Sequence, residues 1–177
     1  MASFDAKAPP KNRWVVQPAH LGKDTIVHYH AAGGDAAALG HALRRNGGDA
    51  SGGGLAHFYS PPVHLASAYG HLACVELLLE RGATVGADDS RRGGRTPLHR
   101  ACVEGGPVDK VSRLLTAGAD VDAEGGQGQT PLHDACDYGR VVCAALLLKA
   151  GGTVDKTDCH GDTALHFAAR SGAPNPT

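Results

Sequence analysis

The chain has 177 residues, a formal net charge of −1 and 20% charged residues, so neither sign dominates and neither a nucleic acid nor a membrane surface is the expected main partner. With three Phe and one Trp, any core must be built from Leu, Val and Ala, and no apolar run approaches the ~20 residues that a membrane span needs. Five cysteines (Cys74, Cys102, Cys136, Cys143 and Cys159), odd in number and without CxxC spacing, argue against a disulfide framework and predict a reduced, intracellular protein with free thiols.

In chain order, residues 1–21 carry Pro9-Pro10, Lys11 and Arg13 around Trp14 and read as a flexible tail. The opening MASFDAKAPPKNRW has no apolar middle of the kind a secretory signal needs, so export is not expected. Residues 28–48, HYHAAGGDAAALGHALRRNGG, predict two short helices parted by glycine and an acid. From there a phrase recurs: PPVHLASAYG, TPLHRACVEG, TPLHDACDYG and TALHFAARSG, with His64, His99, His133 and His166 separated by 35, 34 and 33 residues. A second block follows three times, as VELLLERGATV at 75–85, RLLTAGADV at 113–121 and ALLLKAGGTV at 145–154. Each full unit thus predicts a turn, a short helix, a glycine, a longer helix, a glycine turn and an extended finger.

Local chemistry supports this parsing. Thr96, Thr130 and Thr163 stand where a side-chain oxygen can cap the first helix, and Pro97 and Pro131 follow at its first position, where a missing N–H costs nothing. Where Pro61 replaces the threonine, Ser60 is expected to take over part of the cap. Leu98, Ala101 and Cys102, then Leu132, Ala135 and Cys136, fall at i, i+3, i+4 on one helix face. Gly82, Gly118 and Gly151 sit where a left-handed stop ends the second helix. Extra residues in the finger at 90–94 and near Gly106-Pro107 account for the two longer spacings.

The phrase TPLHxAxxxG, the Leu-rich helix after it and the closing GAD-V resemble the ankyrin repeat over roughly residues 57–172. The resemblance implies an all-α solenoid of stacked helix-turn-helix units with β-hairpin-like fingers. On that reading 22–56 is a degenerate N-terminal capping repeat, 57–90, 91–125 and 126–158 are complete repeats, and 159–177 is a truncated one. With Pro174 and Pro176 after the last short helix, the chain is expected to be a fragment of a longer array, the alternative being a shortened cap. LHRAC and LHDAC are similar to adaptor ankyrins that carry a SOCS box, which implies an alternative role as the recognition part of a larger adaptor.

The four phrase histidines recur along a stack at ~10 Å, one helix-packing distance, and so do not converge on a metal; the resemblance implies that they bond within and between the TPLH turns. His28-Tyr29-His30 reads as a surface pair, and Cys159-His160 as an ordinary exposed finger turn. Cys102 and Cys136 read as core, while Glu76, Glu80, Arg81 and Lys149 read as solvated. The glycine runs at 47–54 and 125–128 read as turn material. GxSxG, HExxH and GxxxxGK(S/T) patterns do not occur, and neither an enzyme nor a cofactor nor a metal is expected.

The letters that change between units carry the functional reading. Ala68-Tyr69, Val103-Glu104, Asp137-Tyr138 and Arg170-Ser171 precede the first-helix glycines, and the resemblance places them on the concave face that ankyrin proteins use for partners. Tyr69 and Tyr138 hold equivalent places around Glu104, a strip suited to binding because tyrosine offers large contact area at low entropy cost; the competing reading packs both rings on neighbouring turns. Finger residues extend the strip through Arg91, Arg92 and Arg95, then Gln127 and Gln129, then His160 and Asp162. Those arginines either meet an acidic segment or are simply solvated. The expected function is binding of an unidentified protein partner by a monomer, or by part of a larger chain or complex, in the cytoplasm or nucleus.

Overall fold

A computed structural model describes residues 23–48, 50–51, 60–87, 89, 93–104 and 108–172. The described residues form helices α1 (Lys23–Gly33), α2 (Ala36–Arg45), α3 (Pro62–Tyr69), α4 (Leu72–Glu80), α5 (Pro97–Glu104), α6 (Asp109–Thr116), α7 (Pro131–Asp137), α8 (Val141–Lys149) and α9 (Ala164–Ser171). The tail at 1–21, Arg91, Arg92, Gly106-Pro107 and the segment after Gly172 lie outside the described residues.

The helices sort into two files. In one, α1 packs on α3, α3 on α5, α5 on α7 and α7 on α9; in the other, α2 packs on α4, α4 on α6 and α6 on α8. Rungs of α1 with α2, α3 with α4, α5 with α6 and α7 with α8 join the files. This is serial stacking in an all-α solenoid, in which each unit touches its neighbours and buries its apolar stripe against them.

The repeated letters line the seam. Val63, Leu98 and Leu132 from the first helices face Leu78, Leu114 and Leu147 from the second, and none of the six is more than 3% exposed. Each such side chain contributes about 1.5–3 kcal/mol relative to an exposed one. Ala66, Ala101 and Ala135, fully buried beside them, let the helices of the first file approach closely. Val27, Ala31, Leu39 and Leu43 carry the same core into α1 and α2.

Every complete second helix stops in the same way. Gly82, Gly118 and Gly151 have φ of 83°, 87° and 93°, and the next residue closes the helix through Ala83 N–H to Leu78 O (2.9 Å), Ala119 N–H to Leu114 O (2.9 Å) and Gly152 N–H to Leu147 O (3.0 Å). These six-to-one bonds with a left-handed glycine satisfy carbonyls that the helix end would otherwise leave open. Beyond them the chain forms fingers, pinned by antiparallel bridges at Asp89–Arg95 and Thr157–Thr163 and by a Gly125 N–H to Gln129 O bond of 2.8 Å.

Two local expectations are corrected. Ser60 donates its hydroxyl to the Asp89 carboxylate, so it serves the finger rather than the start of α3. His28 is 4% exposed and belongs to the interior, because α1 packs on α3; it is not a surface residue. Among the described residues, no helix is long and apolar enough to cross a membrane.

Candidate functional site

The phrase histidines set the register of the face. In α7 the Thr130 backbone N–H donates to His133 Nδ1 at 3.1 Å, and the Thr130 hydroxyl lies 2.9 Å from the same nitrogen. A nitrogen that accepts from an amide carries no proton, so the proton sits on Nε2, which donates to Asp162 O at 3.1 Å. His99 repeats the pattern, with Thr96 N–H at 3.1 Å and Gln129 O at 2.9 Å, and His64 Nε2 donates to Arg95 O at 2.8 Å. His99 and His133 therefore tie the start of their own helix to the finger of the next unit, and do so only when neutral, while His64 ties α3 to the next finger through Nε2. Burial lowers the His99 pKa to about 4; its bond to Gln129 opposes this, while Arg95, His64 and His133 reinforce it. The threonines were expected to cap these helices and the histidines to bond within the same turns; α7 and α9 join the two as capping boxes, with histidine as the reciprocal member at the third position. The signal was present in the sequence as a fixed Thr-to-His step of three.

The predicted strip divides by burial. Tyr69 and Tyr138 are 48% and 46% exposed, whereas Ala68 and Val103 are buried and give the surface no side chain. The Val103 carbonyl instead accepts two bonds from the Arg140 guanidinium, at 3.2 and 3.1 Å. Glu104 is exposed and paired with Arg100 at 3.2 Å. Arg170 gathers three expected or adjacent groups: it lies 3.7 Å from Asp137 and 3.8 Å from Asp162, and its guanidinium stands 4.4 Å over the Phe167 ring. Ser171 turns back to donate to Cys136 O at 3.1 Å.

In the fingers, Arg95 is committed within the chain. It donates to Asp134 Oδ1 at 2.9 Å and to Gln129 Oε1 at 3.3 Å, clasping one finger to the next and to α7. Gln127 and His160 are exposed; the Gln127 carbonyl accepts from Cys159 N–H at 2.9 Å, linking the two later fingers. Asp134 was not singled out from the sequence, yet it is 2% exposed, and burial pushes its carboxyl up to about 6 against the opposing pull of Arg95. Its only local signal is its place directly after the histidine in LHDAC. Gly126, read as turn material, has a tighter role: a Cβ there would lie 3.0 Å from the Gly93 carbonyl oxygen of the preceding finger. Among the described residues no group of three or more His, Cys, Asp or Glu side chains is gathered for a metal ion.

Two files of short helices, histidine ties between units and an edge of fingers define a helical repeat protein whose unvarying letters face inward. A family model described as ankyrin repeats (3 copies) matches residues 27–125 and 103–175. The chain belongs to the ankyrin-repeat family, a protein-interaction fold. It is 42% identical over 81 residues to the human SMC5-SMC6 complex localization factor protein 1, covering 45% of this chain and 8% of that protein. It is 40% identical over 115 residues to the zebrafish (Danio rerio) ankyrin repeat and SOCS box protein 11, covering 64% and 38%. It is 38% identical over 97 residues to a probable E3 ubiquitin-protein ligase XBOS33 of Oryza sativa subsp. japonica, covering 54% and 18%. The chain thus spans well under half the length of each of these relatives.

Proposed function

We propose that this chain binds a protein partner inside the cell through the face formed by its first helices and fingers. The observation that carries the reading is the exposure of Tyr69 and Tyr138, at 48% and 46%, in equivalent places two units apart in a chain with few aromatic residues. Apolar residues of the first helices are otherwise mostly buried, so these rings stand out as contact area available to another molecule. Glu104, Asp137 and Asp162 flank them, and Arg100 and Arg170 hold those carboxylates in place. The scaffold around the strip is ordered in advance by the histidine ties and the Arg95 clasp, so association gives up little conformational freedom. Free thiols at all five cysteines agree with a reduced compartment.

The test is affinity capture with three forms of the chain: the wild type, Tyr69→Ala with Tyr138→Ala, and Lys149→Ala on the second-helix file. The proposal expects the double variant to lose the captured partner while keeping its helical circular dichroism, and Lys149→Ala to retain it. Retention by the double variant refutes the face. A second reading, recognition of a substrate for an attached effector, is favoured by the names of two relatives, a SOCS box protein and a probable ubiquitin ligase. Co-capture of ubiquitin-ligase subunits with the full gene product would support it, and a partner set without them would refute it.

A further inference from the structure

Exposed side chains at the ends of the first helices fall in one row. α3 ends at Tyr69, α5 at Glu104 and α9 at Ser171, while Tyr138 caps α7, and each of these residues stands directly before a glycine. Since α3 packs on α5, α5 on α7 and α7 on α9, the row runs along the stack with one member per unit. Bonds between units hold these turns in register: Arg140 donates to the Val103 carbonyl at 3.2 and 3.1 Å, and Ser171 to the Cys136 carbonyl at 3.1 Å. His71 reaches back in the same way to the Ala32 carbonyl, at 3.0 Å, and its ring lies 6.2 Å from that of Tyr69. Between the two tyrosines the exposed charge is negative, because the Glu104 side chain is 43% exposed and its partner Arg100 only 15%. Packed helices lie about 8–10 Å apart, so neighbouring places in the row are one such step apart and the tyrosines two, roughly 16–20 Å.

We infer that this row takes a proline-rich peptide in the polyproline II conformation, with one proline against Tyr69, another against Tyr138 and a basic side chain against Glu104. The inference rests on the face proposed above and names its ligand. A polyproline II helix has about three residues per turn and a rise of ~3.1 Å, so it presents the same edge every ~9.3 Å, close to the step of the stack. Residues i, i+3 and i+6 of such a peptide therefore meet the three side chains in turn. An extended strand rises ~3.3 Å per residue and alternates its side chains between two faces. Its third residue onward points away, so it reaches both tyrosines but not the carboxylate between them. An α-helix returns to one face about every seven residues, or ~10.5 Å. Yet an amphipathic helix lays an apolar face into an apolar groove, and here Ala68 and Val103 are buried and a carboxylate parts the two rings. Separate exposed rings suit proline, whose pyrrolidine is apolar and whose fixed φ leaves little conformational freedom to lose on binding.

The experiment measures, by fluorescence anisotropy, binding of the full chain to a labelled eleven-residue peptide with proline at its third and ninth positions, arginine at its sixth, and alanine or proline elsewhere. Expected is saturable binding that weakens about tenfold in Tyr69→Ala and in Tyr138→Ala, as for the loss of an aromatic anchor. Deleting one residue from each spacer, which breaks the three-residue period, should weaken it by a similar factor. Glu104→Arg should disfavour this peptide and favour its counterpart with glutamate at the sixth position, a reversal that an unfolded variant cannot give. The inference is overturned if the wild type does not bind the peptide, or if the period and the tyrosines are without effect. Tighter binding of a helical peptide that carries the same side chains seven residues apart overturns it as well. The capture assay above judges the face separately: loss of the captured partner by the double tyrosine variant, with no binding of the peptide, keeps the face and removes this ligand.

Discussion

Removing Asp134 should expose a pH dependence that the intact protein conceals. His99 is fully buried and has a pKa of about 4 in the fold against 6.5 for a free imidazole. Because the folded value is depressed, its stabilising contribution is complete above pH 6.5 and disappears as pH falls to 4. At about 1.4 kcal/mol per pH unit of difference, this amounts to about 3 kcal/mol. Asp134 runs the other way, its carboxyl being raised from 3.8 to about 6, so its contribution is complete below 3.8 and is lost as pH rises through 6. That is again about 3 kcal/mol, and the two nearly cancel in the wild type. The stability of Asp134→Asn relative to wild type should therefore rise by about 3 kcal/mol between pH 4 and 6, and that of His99→Asn should fall by a similar amount. Guanidinium denaturation followed by circular dichroism, extrapolated to water at each pH, measures all three proteins, and differences against wild type remove the titrations they share. Three parallel curves would refute the argument that the histidine ties work only when neutral.

Leu132→Ala, at a position 3% exposed, should destabilise the chain by ~2–5 kcal/mol in the same denaturation assay. Gly126→Ala should cost about 1–3 kcal/mol and speed hydrogen exchange at the residue 126 amide, because the new methyl meets the Gly93 carbonyl oxygen. Arg95→Ala should move the Asp134 carboxyl still higher, since it removes the cation that holds it down; side-chain carboxyl NMR titration reads the direction. A lower Asp134 pKa in that variant would show that the clasp is absent in solution.

The stack was legible because its packing positions recur. Leu98 and Leu132, Ala101 and Ala135, and the glycines after each second helix repeat because the same cavity and the same helix stop repeat. Contacts that cross between units were not legible in that way. Arg95 and Asp134 are 39 residues apart and neither sits in a local motif, so only the register of the stack brings them together. The histidines were recognised as structural, but their role as capping partners depends on which nitrogen faces the threonine amide, a matter of ring orientation. The interior position of His28 escaped the reading because its unit lacks the TPLH phrase that marks inward residues elsewhere.

The most direct test of the interaction face is hydrogen exchange of the chain alone and in complex with its captured partner. Slowed exchange at Ala68–Tyr69, Val103–Glu104, Asp137–Tyr138 and the fingers at 125–129 and 158–162, with α4, α6 and α8 unchanged, is the predicted pattern. Protection concentrated on those second helices, with the tyrosine turns unaffected, would contradict it.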